Sequence, residues 1–358
     1  MNHPSHLVDG PAAKNTVFVT GATGLLGNNL VRQLVRDGFR VRALARSEEK
    51  AKRFLGDMDV ELVIGDMQRI AEFADRLDGC RAVFHTAAYF REYYQPGDHA
   101  EQLERINVQA TLELMAEADR RGVEKFVHTS SSGAIGMKPD GDPGDEETAP
   151  SDEQLANGYF RSKVVGDEKI RAWSPPHGMT VVEILPGWMW GPGDAAPTAA
   201  GQLALDFVAK KIPIVPEGGT CLVDARDVAA AMIACLERAP HGSRYLVAGE
   251  FRTIAEVLAE LESLTGVKAP RLRVPYAAVM AFAFFEEQRV KLLGGKLLVS
   301  REAVRLLRWR HRVSSERARR ELGATFRPLS ETLHDVVAWY SKQGFFERDV
   351  TLTEKALA

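Results

Sequence analysis

Only three cysteines, Cys80, Cys221 and Cys235, occur in the 358 residues, widely spaced and odd in number. They match neither a disulfide framework nor a zinc-ligand spacing, so a reducing, cytoplasmic setting is expected. The nine histidines include no paired ligand motif, and no metal site is expected. No apolar run reaches the roughly 18 residues that would span a bilayer. The first fifteen residues, with His3, Pro4, His6, Asp9, Gly10 and Pro11, lack the apolar core of a signal peptide and read as a flexible tail. Long runs of one charge are missing too. The net charge is -3, and the locally basic Arg301 to Arg320 segment is broken by acidic and apolar positions, as on a solvated helix face. Nucleic acid is therefore not an expected partner. What remains is the make-up of an ordinary soluble globular protein, 45% hydrophobic and 27% charged.

Against these absences, Thr16 to Gly27 carries a dense signal. A short run rich in β-formers (Thr16 to Val19) leads into glycines at 21, 24 and 27. A helical pattern follows at once, with Leu25, Leu26, Leu30, Val31, Leu34 and Val35 at three- and four-residue steps. In such a strand, turn and helix, Gly21 permits a sharp turn and Gly24 lets the backbone approach a pyrophosphate. Gly27 permits close packing of helix on strand. The first helical turn, from Leu25, offers unpaired N–H groups and a positive dipole end to the phosphates. The placement implies dinucleotide binding, where a glycine triplet alone would imply only a turn.

Further strands are expected at Arg40 to Ala45, Val60 to Ile64, Ala82 to Thr86, Lys125 to Thr129 and Thr180 to Leu185, with helices between them at about Glu48, Leu103 to Ala118 and Asn157 to Trp173. Strand alternating with helix predicts an α/β protein with a doubly wound parallel sheet covered on both faces, because parallel neighbours need crossovers. Ligands in such sheets sit beyond the carboxyl ends of the strands. After Pro186 the rhythm loosens into helices at about Gly201 to Lys210, Ala225 to Arg238 and Ile254 to Thr265. The expected organisation is a tail over 1–14, a nucleotide-binding domain over 15–185, a smaller, mainly helical substrate lobe over 186–350 with strands and a helix returning to the core, and a tail over 351–358.

Tyr159 and Lys163 stand four apart on a predicted helix, with Ser162 between them, so both side chains share one face. A nearby ammonium favours tyrosinate, which would let the phenol exchange a proton nearer neutral pH. Ser131, at the end of the fifth strand, could reach the same spot. Alone, such a pair is an ordinary exposed helix face. Its order after the glycine turn and the strand-ending serines makes it informative.

That order resembles the extended short-chain dehydrogenase/reductase family, over most of the chain. Gly21-Ala-Thr23-Gly24-Leu25-Leu26-Gly27 is similar to the family's phosphate loop, and Gly65-Asp66-Met67 to the segment whose aspartate meets the adenine amine. Phe84-His85-Thr86-Ala87-Ala88 resembles the stretch lining the cofactor beneath the nicotinamide. Asn107 resembles the asparagine that orders the active-site lysine through water. In Thr129-Ser130-Ser131-Ser132-Gly133 the second serine stands at the position of the family's catalytic hydroxyl. Leu185-Pro186-Gly187-Trp188-Met189-Trp190-Gly191-Pro192-Gly193-Asp194 is similar to its Arg-Pro-Gly-x-x-Tyr-Gly-Pro-Gly-Asp turn, with Leu185 and Trp190 departing from the usual Arg and Tyr. Val223 to Ala229 and Trp339-Tyr340 resemble its second-lobe landmarks. The resemblance implies a Rossmann-type fold and a small-molecule substrate. It also implies a homodimer paired through the helices at Leu103 to Ala118 and Asn157 to Trp173. Tyr159 is then the general acid or base, and Lys163 lowers its pKa and holds the nicotinamide ribose. Ser131 donates to the developing alkoxide, while hydride belongs to the cofactor.

Cofactor choice turns on the second strand. No acid stands between Asp37 and Glu48 to bind a ribose 2′-hydroxyl, and Arg46 occupies the position of a 2′-phosphate-binding arginine. NADP is expected over NAD on that ground. Arg40 to Arg46 and the serine turn look most like the dihydroflavonol-reductase and 3β-hydroxysteroid-dehydrogenase branch. The substrate side is apolar, with Tyr89, Phe90, Tyr93 and Tyr94 after the fourth strand, Ser132 in the serine turn, and Trp188 and Trp190 after the sixth. Arg91 and Glu92 read as solvated. The aromatic run Pro275 to Phe285 reads as a buried helix or lid. A peripheral contact with membrane lipid is the alternative for such a helix, although its flanks are not strongly basic. The expected activity is NADP-dependent reduction of a hydrophobic ketone or aldehyde. Two alternatives stand beside it: an NAD-dependent nucleotide-sugar or hopanoid-type epimerase, and a non-catalytic dinucleotide sensor.

Overall fold

The computed structural model describes residues 15–90, 97–215, 217–272, 274–295, 297, 299–308 and 310–346. The two expected tails, 1–14 and 351–358, and residues Arg91 to Tyr94 lie outside the described residues. The first half of the sheet is built by β1 (Thr16–Thr20), α1 (Leu25–Arg36), β2 (Arg40–Ala45), α2 (Glu48–Leu55) and β3 (Val60–Ile64). The second half follows as β4 (Ala82–His85), α3 (Ala100–Gln102), α4 (Ala110–Arg120), β5 (Lys125–Thr129), α5 (Asp152–Ala156), α6 (Gly158–Ala172) and β6 (Thr180–Pro186). The strands order as β3-β2-β1-β4-β5-β6-β9, where β9 is Arg244–Val247, and every neighbouring pair is parallel.

Alternation within β1 distributes the core to both faces. Val17 and Val19 join Leu30 and Leu34 on one side, and Phe18 joins Val83, Phe126 and Leu114 on the other. All three β1 residues are fully buried, as a strand covered on both faces requires. The chain adds strands outward from β1 in one direction, then restarts beside it with β4. That reversal opens a crevice at the carboxyl ends of β1 and β4, where ligands of such folds bind.

Beyond β6 come β7 (Trp188–Trp190), α7 (Ala199–Val208), β8 (Gly219–Asp224), α8 (Ala225–Arg238), β10 (Glu250–Thr253) and α9 (Ile254–Thr265). The remaining helices are α10 (Tyr276–Leu293), α11 (Arg301–Arg308) and α12 (Leu329–Lys342). β7, β8 and β10 make a second, three-stranded sheet. α8 packs on α1 and β9 extends the large sheet, so this half of the chain also builds the core. Gly187 is the crossing point between sheets. A Cβ there would lie 2.6 Å from the Ala248 carbonyl and 2.7 Å from that of Cys221. Arg226 pins α12 to the second sheet by bridging Asp224 at 2.7 Å and Asp335 at 2.5 Å. Tyr340 donates to Asp194 at 3.1 Å, which ties the same helix to the turn after β7.

One predicted helix is corrected. Leu103–Gln109 is a π-helical stretch that precedes α4, rather than the start of one regular helix. Such a bulge re-aims a side chain within a helix, and the one it serves here is Asn107.

Candidate active site

The glycine turn performs three separate tasks. Gly21 has a φ of +66°, and a Cβ there would meet Ala87 N at 2.8 Å, so the turn after β1 abuts the turn after β4. A Cβ on Gly27 would strike the Gly21 carbonyl at 2.2 Å. Gly24 differs, because among the described residues outside its own helix and chain neighbours just the Gly21 carbonyl oxygen, at 3.2 Å, lies close to that position. It caps α1 without any side-chain hydrogen bond, leaving the helix dipole and its first N–H groups facing that open side. This cradle fits a pyrophosphate.

At the far ends of β2 and β3, Arg46 is exposed and carries no ion pair among the described residues. Arg42 is spent elsewhere, on Glu61 at 3.0 Å and the carbonyls of Arg76 and Asp78. Asp66 accepts the Gln68 N–H at 2.9 Å, with Met67 buried behind it. The carboxyl ends of β2 and β3 thus carry an unengaged guanidinium and a carboxylate.

A polar knot closes the crevice floor. Thr20 Oγ1 accepts the N–H groups of Thr86 and Ala87, at 3.2 and 3.3 Å, and lies 2.8 Å from His85 Nδ1. With its lone pairs taken, the hydroxyl donates to Nδ1. The ring proton is thereby assigned to Nε2, which donates to Thr111 Oγ1 at 3.0 Å. Thr111 donates onward to the Asn107 carbonyl at 3.0 Å. Burial, then the Lys163 ammonium, push His85 down to about 3, so the ring is neutral. Ala88, next along, is exposed.

The proton-handling side is raised on α6. Asn157 caps that helix by accepting the Phe160 N–H at 2.9 Å, placing Tyr159 in its first turn and Lys163 one turn on. Both side chains are buried. Lys163 Nζ donates to the Thr129 carbonyl at 2.9 Å, which holds it against the end of β5. Ser131 is half-buried and accepts the Gly133 N–H at 3.1 Å, so its hydroxyl proton is left to donate. Ser132, by contrast, is buried. Asn107 is clamped by its side chain, which accepts from Tyr89 N at 2.7 Å and donates to Ser162 Oγ at 3.1 Å. Ser162 donates in turn to the Tyr159 carbonyl at 2.7 Å. Asn107 thus ties the β4 turn to the helix that carries Tyr159.

Electrostatics in the protein alone depart from expectation. Burial, followed by the Asp167 carboxylate, pushes the Tyr159 phenol above its ordinary value. Burial also pushes Lys163 down to about 8, with Asp167 and Glu183 acting against it. In the protein alone the phenol is therefore not lowered, because burial penalises the tyrosinate and Asp167 adds to that.

Beneath these groups lies an ionic cluster that no local pattern announced. Asp167 accepts from Ser130 Oγ at 2.7 Å and from Arg244 at 3.2 Å, and Arg244 Nε lies 3.1 Å from Glu183. Arg171 approaches Glu183 at 3.6 Å. Burial raises both carboxyls, and Glu183 rises further because Asp167 is beside it. Ser130, expected at the cofactor, is therefore committed to this cluster. Asp167 stands four residues beyond Lys163, so helical spacing could have flagged it. Glu183 and Arg244 arrive from β6 and β9, which no spacing in the chain connects.

The expected substrate residues divide. Phe90 is half-buried with its ring 4.9 Å from that of Tyr159. The Tyr89 hydroxyl lies 2.6 Å from His99 Nδ1. Trp188 is half-buried, but Trp190 is only 1% exposed and belongs to the core of the second sheet with Leu222, Ile254 and Tyr340. Pro186 ends β6, and Met189 packs at the edge of the large core. The three cysteines are free and buried.

Residues 17–248 match the model of the NAD dependent epimerase/dehydratase family. The chain is 32% identical over 338 residues to a putative dihydroflavonol 4-reductase of Synechocystis sp., covering 93% of this chain and 97% of that protein. It is 34% identical over 331 residues to sterol demethylase protein B of Methylococcus capsulatus, covering 92% and 99%. Among solved structures, that of gox2253 superposes with a TM-score of 0.78 at 29% identity, covering 93% of this chain and all of that one. A glycine cradle at the switch point, a Tyr-x-x-x-Lys helix beside it and these matches converge: the chain belongs to the NAD-dependent epimerase/dehydratase family of extended short-chain dehydrogenases/reductases, whose members bind NAD(P).

Proposed function

We propose that this protein is an NADP-dependent carbonyl reductase, reversibly an alcohol dehydrogenase, for a fairly hydrophobic ketone or aldehyde. The observation that carries the reading is the pairing of Tyr159 with Phe90, ring centroids 4.9 Å apart, on a phenol that burial keeps protonated. A proton donor walled by an aromatic ring suits an apolar carbonyl better than a sugar hydroxyl. The relatives named as reductases agree with it. When bound, the nicotinamide supplies hydride chemistry. Tyr159 would give its phenol proton to the substrate's carbonyl oxygen, Ser131 would donate a hydrogen bond to that same oxygen, and Lys163 is held beside them on the Thr129 carbonyl. The glycine turn and α1 take the pyrophosphate, and Arg46 takes a 2′-phosphate.

The test is a paired titration of tryptophan fluorescence with NADPH and NADH, together with oxidation of each by a panel of aromatic and long-chain ketones. Ketone-dependent oxidation that prefers NADPH, with the preference reversed in Arg46→Asp, is expected. Unchanged preference in that variant discards the cofactor assignment. The family description favours a second reading, an NAD-dependent epimerase. Tightly retained NAD without net turnover on any ketone would select it.

A further inference from the structure

α10 is apolar on two faces, and the fold buries only one. Val279, Ala283 and Val290 face inward, against Val304 of α11. On the other side Ala278, Ala281, Phe282, Phe285 and Leu292 recur at helical spacing and are exposed, Phe285 to 68% and Leu292 to 82%. Leu293 and Leu272 extend the patch. A helix that is apolar all round normally lies inside a core or against a membrane. The buried helix expected from the sequence is therefore half correct, and the lid reading leaves this outer face unexplained.

Basic side chains line one edge of that face. The Arg301 guanidinium lies 5.2 Å from the Phe284 ring centre and that of Arg308 4.2 Å from Tyr276. Phe284 and Tyr276 are about 12 Å apart along α10, and Arg301 and Arg308 about 10.5 Å apart along α11. The helices thus run antiparallel, and Arg301, Arg305 and Arg308 share one face of α11 beside the aromatic surface. Lys291 and Arg305 are exposed. From Lys268 to Arg312 the sequence holds eleven Lys or Arg against three Asp or Glu, a local charge of +8 in a chain whose total is -3.

We propose that the outer face of α10, with Lys291 and the exposed Arg305 and Arg308 beside it, docks on an anionic phospholipid surface; Arg301 is held by Glu287 at 2.7 Å. The helix lies flat, with Phe282, Phe285, Leu292 and Leu293 among the acyl chains and Lys291 and Arg305 at the phosphates. No helix of the described residues is long and apolar enough to cross a membrane, so contact is peripheral. A second copy is the poorer occupant. A two-fold interface would set this basic edge against or near itself. Nucleic acid would satisfy the cations but leave the aliphatic stripe uncovered. The proposal is independent of the cofactor site and of which carbonyl the protein reduces.

Co-sedimentation of the full chain with phosphatidylcholine vesicles, with and without phosphatidylglycerol, tests it. Binding to the anionic vesicles that weakens with salt is expected. Lys291→Gln and Arg305→Gln should each weaken it about fivefold. A Phe282→Ser, Phe285→Ser, Leu292→Ser variant should lose at least about tenfold with its melting temperature kept, because all three side chains are exposed. Absent binding, or equal binding to neutral vesicles, overturns the proposal. So does a dimer that the triple variant dissociates, or capture by duplex DNA that the triple variant retains.

Discussion

The two ends of the crevice are built in opposite ways. The phosphate end is a local device, with Gly21, Gly24 and Gly27 in one turn and the α1 N-terminus directly behind them. The proton-handling end is assembled from β5, α6, β6 and β9, and its ionic cluster joins groups far apart in the chain. A local device works through backbone shape and tolerates few side chains. A distributed one works through desolvated charge, so each member depends on the others.

The largest expected effect lies at the proton-handling end. Tyr159→Phe removes the acid and should lower kcat about 10³-fold while nucleotide affinity holds, as read by single-turnover kinetics and fluorescence titration. Retained turnover would show that another group moves the proton. Next in size, Asp167→Ala strips Ser130 and Arg244 of a buried partner and should cost about 3–5 kcal/mol in urea unfolding. A loss below about 1 kcal/mol would mean that Glu183 alone neutralises Arg244.

The phosphate end should respond to its glycines unequally. Gly21→Ala imposes a side chain on a left-handed backbone and a contact at 2.8 Å, so stability should fall by at least about 1–2 kcal/mol. Gly24→Ala meets one tight contact, the Gly21 carbonyl at 3.2 Å, and keeps an ordinary backbone, so it should weaken nucleotide binding with a smaller loss of melting temperature than Gly21→Ala. Equal melting temperatures for the two variants would erase the distinction between structural and ligand-facing glycine.

A pH dependence is expected at the seam between the two ends. Unfolded His85 titrates near 6.5, whereas in the fold it is held to about 3. The unfolded chain therefore binds more protons between these values, and the His85 contribution is complete above about pH 6.5 and lost as pH falls toward 3. Melts from pH 7 to 4 should show a shallower decline in His85→Asn. An unchanged slope would transfer that dependence to His128, whose ring is also buried and pushed downward.

Much of this molecule was legible before folding. The strands at Arg40–Ala45, Val60–Ile64 and Lys125–Thr129 stand at their expected bounds, because short runs rich in β-formers between turn residues mark a strand even where, as in β3, it lies at the sheet edge. Periodicity did not reveal the π-helical stretch at Asn107, whose distortion answers to Tyr89 and Ser162 rather than to its own neighbours. Trp190 reads as a pocket residue beside Trp188, and the two do share one face of β7, but α7, α9 and α12 pack on that face and bury Trp190.

The sequence by itself determined the glycine turn, the alternation of strand with helix and the Tyr159–Lys163 face, because each depends on spacing within one or two elements. Tertiary structure alone decided which charges lie under Lys163 and which arginines flank α10. Those groups meet across β6, β9 and α11, and burial makes their charges matter only once the chain has closed around them.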